Sequence, residues 1–175
     1  MSEAPFSLTF PVVSSSLKGI TMNKTSKISR ALHVVDAANE IGSGHFTLDE
    51  ARTLRSAYTA TVNLGPNDLV MAATGPGTAA ELAFGWGHGL LKIRPGQNGA
   101  DYAIIDYLEE SLSRASSFNH LYLGTGDHEM VPVVKKWLAA GVPVTIIARR
   151  FHVHHEYFKL PVKIVYLDDQ WALAS

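Results

Sequence analysis

The chain has 175 residues, of which 46% are hydrophobic, so it is long enough for one domain with a real core and too short for two ordinary ones. The chain has fifteen basic and sixteen acidic residues, and its net charge of −1 excludes a general attraction to polyanions. A polyanion such as RNA could therefore bind only at a local basic patch. The absence of cysteine excludes disulfides and thiolate metal sites. With no long apolar run and no signal-peptide pattern, the sequence predicts a soluble cytoplasmic protein without a membrane partner.

The first 29 residues differ in character from the rest of the chain. They are rich in Ser, Thr and Lys and show no clear period, which predicts a flexible N-terminal arm. Within this arm, the alternating segment Phe6–Phe10 has the pattern of a short edge strand. The folded domain is predicted over residues 30–170, and residues 171–175 are assigned to a C-terminal tail.

Apolar runs and helical repeats alternate from residue 31 onward. Ala31–Val35 predicts a buried first strand that ends in a polar loop, Asp36–Asn39. Thr47 and Glu50 form the pattern of a capping box, which predicts a helix from there to about Val62. The remaining elements are predicted in this order: strand 68–73, helix 79–84, strand 90–93, helix 101–112, strand 121–124, helix 131–138, strand 142–148 and strand 163–167.

This alternation of strands and helices decides the fold class. It predicts an α/β fold with a mainly parallel central sheet and helices on both faces. In a parallel sheet the carboxyl ends of all strands lie along one edge, and ligands bind in the crevice outside that edge. Side chains that follow the strands are therefore the first candidates for a functional site.

Three acids are predicted to meet at that edge. Asp36 follows the first strand, Asp127 follows the fourth, and Asp101 lies in the first turn of the helix that leads to the fourth strand. Converging carboxylates repel one another and persist most readily around a hard cation such as Mg²⁺ or Mn²⁺. Such a cation polarises a phosphoryl oxygen and lowers the pKa of a bound water, which is the machinery of phosphodiester hydrolysis.

Each acid also has a purely structural explanation. Asp127 could cap a helix, Asp101 could complement a helix dipole, and Asp36 could form a turn with its own backbone or with Asn39. The convergence of three acids on one edge nevertheless favours a metal site.

Three short motifs, in order, resemble those of the NYN family, a branch of the PIN-like nuclease superfamily. They are Val34–Asn39 in the first strand, Gly99–Ile105 in the central helix and the glycine turn Gly124–Asp127. The likeness covers roughly residues 31–168. It implies a PIN-like three-layer α/β/α sandwich and a divalent-metal-dependent ribonuclease.

The resemblance also implies the roles of particular residues. Asp36, Asp101 and Asp127 would be the catalytic metal ligands, and Asn39 and Thr125 would support them. The implied cofactor is Mg²⁺ or Mn²⁺, and the implied partner is RNA, single-stranded in the simplest case. A homodimer is compatible with the sequence, which does not decide the oligomeric state.

The glycine turn departs from the family pattern at its end. Many members carry a second Asp two residues after the first, followed by Phe, whereas this chain has Glu129 and Met130. Glu can bind metal, but its longer side chain moves the oxygens by over about 1 Å, which matters for catalysis. Glu129 is therefore a secondary ligand candidate, and a catalytically weak or inactive RNA- or nucleotide-binding module of the same fold is the alternative function.

Basic residues near the acidic edge are candidates for binding RNA phosphates. Arg94 follows the third strand, and Arg149 and Arg150 follow the fifth. These arginines could equally be ordinary solvated charges. His128, beside Asp127, could orient a phosphate or a water, or could simply begin a helix.

The histidine run His152–His155 raises a separate question. On an extended segment, His152 and His154 would lie on one side, a spacing that can chelate a transition metal, although a polar loop explains the run as well. A third class of function also fits the predicted fold, namely an enzyme acting on a small nucleotide or a phosphorylated metabolite.

Overall fold

The computed structural model describes residues 30–87 and 89–174, so the predicted arm and its edge strand Phe6–Phe10 lie outside the described residues. Six parallel strands form one sheet in the order β3-β2-β1-β4-β5-β6. The strands are β1 (Ala31–Asp36), β2 (Leu69–Thr74), β3 (Leu90–Ile93), β4 (His120–Gly124), β5 (Val144–Ala148) and β6 (Lys163–Tyr166). The helices are α1 (Ala37–Ile41), α2 (Leu48–Val62), α3 (Ala79–Trp86), α4 (Gly99–Ser111), α5 (Val131–Ala139) and α6 (Asp168–Ala174). Among these described helices, none combines the length and the apolar character needed to cross a bilayer.

Successive side chains of β1 point into two separate cores. Leu32 and Val34 pack in the core that contains α4 and α5, whereas Val35 packs in the core that contains α2 and α3. This alternation is the period of two that a strand imposes, and it gives the sheet a helical layer on each face. The predicted three-layer α/β/α sandwich with a parallel central sheet is confirmed.

Local signals in the sequence place the ends of two helices. The Thr47 hydroxyl accepts a hydrogen bond from the Glu50 backbone N–H at 3.2 Å, and the Thr47 N–H donates to the Glu50 carboxylate at 2.7 Å, so the predicted capping box is present at the start of α2. After α5 the chain turns at Gly141, where φ is +80°, a conformation that glycine adopts without steric cost.

Two predicted segments are wrong. Residues 37–39, predicted as part of a polar loop, begin the short helix α1, because the Asp36 carboxylate accepts a hydrogen bond from the Asn39 N–H at 3.0 Å and caps the helix. The predicted C-terminal tail from residue 171 is part of α6. Its Trp171 is half-buried against the α2 side of the core, and this packing holds the chain in helical form.

The buried indole of Trp137 provides a test of this packing. Its N–H donates to the Leu108 carbonyl at 3.1 Å and so joins α5 to the last turn of α4. Trp137→Phe should lower the free energy of unfolding by about 1–3 kcal/mol, because the substitution leaves a buried carbonyl without its donor. Urea unfolding measures this difference. Phe84→Ala is the control: that ring is 77% exposed, and its loss should change stability by less than about 0.5 kcal/mol. Equal effects of the two substitutions would contradict the prediction.

Candidate metal centre

The candidate site lies where the strand order of the sheet reverses. From β1 the chain builds outward through β2 to β3, and it then returns through α4 to β4, on the other side of β1. The loops after β1 and β4 consequently diverge and leave a crevice at the carboxyl edge, which is the usual ligand site of an open α/β sheet.

The carboxyls of Asp36 and Asp101 form a hydrogen-bonded pair in this crevice. Asp36 ends β1 on the same face as Val34, and Asp101 lies in the first turn of α4, which packs on that face. Burial raises the pKa of both groups, and the charge of Asp36 helps to raise the pKa of Asp101 to about 7. Two buried acids in contact cannot both ionise easily, so they hold a proton between them.

Asp127 belongs to a second acidic group. Burial alone would raise its pKa, but hydrogen bonds with Glu129 and from the His128 N–H at 2.7 Å bring that pKa below its usual value. The pKa of Glu129 is raised mainly by its hydrogen bond with Asp127 and, to a smaller extent, by burial. The His128 Nδ1 atom lies 3.2 Å from Asp127 Oδ1 and 3.0 Å from Glu129 Oε2. All three residues have ligand atoms within 4.8 Å of one another.

The structure therefore brings the predicted acids together as two neighbouring pairs. Asp36 pairs with Asp101, and Asp127 pairs with Glu129. The charge of Asp127 raises the pKa of both Asp36 and Asp101, so the two pairs influence each other electrostatically. The donors of both pairs are carboxylate oxygens, the ligands that Mg²⁺ and Mn²⁺ prefer. Among the described residues, however, the ligand atoms of Asp36, Asp101 and Asp127 do not all lie within 4.8 Å of one another, so binding one ion would require these side chains to move closer together.

Asn39 and Thr125 hold the backbone of the site. The Asn39 side-chain oxygen accepts a hydrogen bond from the Gly126 N–H at 3.3 Å, which ties the end of β1 to the turn after β4. The Thr125 hydroxyl is buried and accepts from the Asp127 N–H at 3.2 Å. Asn39 and Thr125 therefore fix the backbone conformation at Asp127.

The glycine turn is also covered by the segment that follows β5. A Cβ atom at Gly126 would collide with the backbone of His152 and Val153, so only glycine fits between the two chains. The His154 N–H donates to the Gly126 carbonyl at 2.9 Å, and the buried Tyr157 hydroxyl donates to the Asp127 carbonyl at 2.6 Å. The turn is thus fixed from both sides.

The three predicted phosphate-binding arginines already have partners. Arg94 lies 2.6 Å from the Asp106 carboxylate, in an exposed ion pair. Arg149 lies 5.0 Å above the Trp171 ring, and Arg150 lies 4.4 Å above the Tyr166 ring. Arg149 Nε also lies 4.0 Å from the Asp168 carboxylate, so Arg94 and Arg149 each face an acid, whereas Arg150 is ordered by stacking on Tyr166.

Glu40 is a buried acid that the sequence pattern does not indicate. It is fully buried on α1, and both of its carboxylate oxygens lack a hydrogen-bond partner among the described residues. Burial and the charge of Asp36 raise its pKa well above its usual value, against the opposing effect of Arg149. Glu40 follows Asp36 by four residues, a spacing that has meaning only once residues 37–41 are known to be helical.

His152 and His154 lie in different environments. His152 Nδ1 lies 3.4 Å from the Asn39 carbonyl oxygen, whereas the ring of His154 lies 4.2 Å from that of His155 and 5.3 Å from that of His128. The pairing of His152 with His154 that an extended segment predicts is therefore wrong, because the chain turns at His152, whose N–H donates to the Arg149 carbonyl at 2.9 Å.

The chain is a three-layer α/β/α protein with a six-stranded parallel sheet and an acidic crevice at the switch in strand order. It resembles the crystal structure of a protein of unknown function from Vibrio parahaemolyticus, with a TM-score of 0.62 and 14% sequence identity over 84% of this chain and 98% of the other. At this identity the likeness concerns the fold alone. The sequence matches no protein-family model and no curated protein.

The raised pKa of Asp101 makes stability depend on pH. The pKa of Asp101 is about 7 in the folded protein and an ordinary 3.8 in the unfolded chain. Below both values the group does not affect stability, and as the pH rises from about 4 to 7 the unfolded chain loses this proton more easily, so the free energy of unfolding falls. In metal-free buffer, the wild type should lose unfolding free energy between about pH 4 and about pH 8, and Asp101→Asn should lose much less. Urea unfolding across this range measures the difference.

The control for this prediction is Asp106→Asn, which removes an exposed acid from the same helix. It should keep the wild-type dependence on pH. Identical pH profiles for the wild type and Asp101→Asn would show that the buried pair has no such effect.

Proposed function

We propose that the protein is a divalent-metal-dependent ribonuclease of the NYN type, within the PIN-like superfamily, that hydrolyses phosphodiester bonds of RNA. The observation that carries the proposal is the buried pair of Asp36 and Asp101 beside Asp127 at the switch in strand order. These three acids stand in the order and on the elements that the family resemblance implies.

The arrangement of the acids favours a cation. Two carboxyls in contact, next to a third, are costly to keep ionised, and a proton relieves the repulsion between Asp36 and Asp101 when no metal is bound. Asp36, Asp101 and Asp127 would hold Mg²⁺ or Mn²⁺ in place of that proton once their side chains move closer together, with Glu129 as a further ligand. When bound, such an ion polarises a phosphoryl oxygen and lowers the pKa of a water.

The chain's own residues position the substrate and the ligands. Asn39 and Thr125 fix the backbone on which Asp127 is carried. Arg149 and Arg150 offer positive charge at the end of β5, where RNA phosphates would lie. Arg94 and Arg149 must separate from Asp106 and Asp168 before either can bind a phosphate. His128, in contact with Asp127, is available to orient a phosphate or a water.

The alternative is a module of the same fold that binds RNA or a nucleotide without turnover. Its specific support is Glu129, which is engaged with Asp127 and His128 in place of the Asp of the family pattern. A single-stranded RNA partner, a homodimer and a cytoplasmic location remain predictions for either function. The absence of cysteine is compatible with a reducing compartment.

Cleavage of RNA tests the proposal directly. The wild type, incubated with several single-stranded RNAs and Mn²⁺ or Mg²⁺, should cleave them, and a chelator should stop the reaction. Asp36→Asn should lower the rate by at least about 10²-fold, as expected when a group that stabilises transition-state charge is lost. Glu110→Gln, which changes an exposed acid near the end of α4, is the matched control and should keep the wild-type rate.

Two outcomes would contradict the ribonuclease proposal. One is equal cleavage by the wild type and Asp36→Asn, and the other is no cleavage of any RNA by the wild type. RNA binding that weakens with salt, without cleavage, would support the alternative.

A further inference from the structure

A cluster of metal-ligating side chains lies outside the acidic crevice, on the segment after β5. His154, His155 and Glu156 each have a ligand atom within 4.8 Å of those of the other two. The rings of His154 and His155 are 4.2 Å apart. The proposed ribonuclease function uses none of these three residues.

A fourth side chain reaches the cluster from the turn after β4. The ring of His128 lies 5.3 Å from the ring of His154, at an angle of 41°. With metal–nitrogen distances of about 2.0–2.1 Å, two imidazoles at this separation can bind one ion. The cluster therefore draws on two segments that are far apart in the sequence.

The main chain around the cluster is held in place by the core. The Tyr157 side chain is fully buried, and its hydroxyl donates to the Asp127 carbonyl at 2.6 Å. The His154 N–H donates to the Gly126 carbonyl at 2.9 Å. These contacts fix the segment of His154–Glu156 against the segment of His128, which lowers the entropic cost of bringing the ligands together.

The chemistry of the donors identifies the ion. Imidazole nitrogens together with one carboxylate suit Zn²⁺ and similar transition metals, whereas Mg²⁺ prefers oxygen ligands only. We propose that His154, His155 and Glu156, with His128 at the fourth position, form a binding site for a transition-metal ion such as Zn²⁺, separate from the site of Asp36 and Asp101.

His128 would bind the ion through Nε2, because its Nδ1 lies 3.2 Å from Asp127 Oδ1 and 3.0 Å from Glu129 Oε2. Two other contacts must break when the ion binds. Lys135 Nζ lies 3.9 Å from the Glu156 carboxylate, in a partly exposed ion pair that contributes little energy. The Glu156 N–H lies 3.5 Å from His154 Nδ1, which is a long and weak hydrogen bond. Removing the positive charge with Lys135→Ala should therefore strengthen Zn²⁺ binding.

Calorimetric titration of the full-length protein with Zn²⁺ tests the site. The wild type should bind one equivalent tightly, and His154→Ala and His155→Ala should each weaken binding by at least about tenfold, since even the loss of an outer-shell partner has that effect. His152→Ala is the matched control from the same run, and it should bind Zn²⁺ as the wild type does because its ring contacts Asn39.

Asp36→Asn separates this proposal from the ribonuclease proposal. It should bind Zn²⁺ as tightly as the wild type, whether or not RNA is cleaved. Loss of Zn²⁺ binding in Asp36→Asn, with retention in His154→Ala and His155→Ala, would place the ion in the acidic crevice and overturn the inference. A wild type that binds no Zn²⁺, or equal binding by all variants, would overturn it as well.

Discussion

The contact between the carboxyls of Asp36 and Asp101 is the constraint on which the candidate site depends. Burying two acids side by side is unfavourable, and the fold keeps them there because each is fixed by an element that the core holds. Asp36 ends a strand in the middle of the sheet, and Asp101 begins a helix whose Ile104 and Leu108 are fully buried. The backbones of β1 and α4 are held together by a shared core, and a bound proton or metal ion would relieve the repulsion between the two acids that they carry.

The fold could be predicted because its signals are local. Buried strands appear in the sequence as apolar runs, and α2 begins at a capping box. The alternation of strands with helices predicts a parallel sheet. The two errors fall on the shortest helices. Five residues in α1 and seven in α6 are too few to show a helical period, and both are stabilised by something outside their own sequence pattern. For α1 that is the capping carboxylate of Asp36, and for α6 it is the packing of Trp171 against the core.

The candidate site could be predicted in part. The meeting of Asp36, Asp101 and Asp127 at one edge follows from the direction of parallel strands, which the alternation of elements already indicates. The division of the acids into two pairs does not follow, because it depends on side-chain contacts at the level of single hydrogen bonds. Glu40 was missed for a related reason: an acid directly after a predicted polar loop gives no sign that it will be buried. The cluster around His154 depends on the chain folding back over Gly126, and this turn has no signature in the local sequence.

The two proposed ion sites share a backbone support and are joined by His128, whose Nδ1 contacts Asp127 and whose ring faces His154. The Gly126 and Asp127 carbonyls accept hydrogen bonds from His154 and Tyr157, so the segment after β5 is attached to the main chain that carries Asp127. The sites nevertheless differ in the physical source of their affinity. At the buried acidic pair, an ion would gain mainly by neutralising charge in a medium of low dielectric constant, which favours small hard cations. At the more exposed histidine cluster, water screens the single carboxylate, and selection must come from nitrogen donors held at the right spacing. The same backbone turn can therefore carry one site for a hard ion and one for a transition metal, because burial determines which of these two effects dominates.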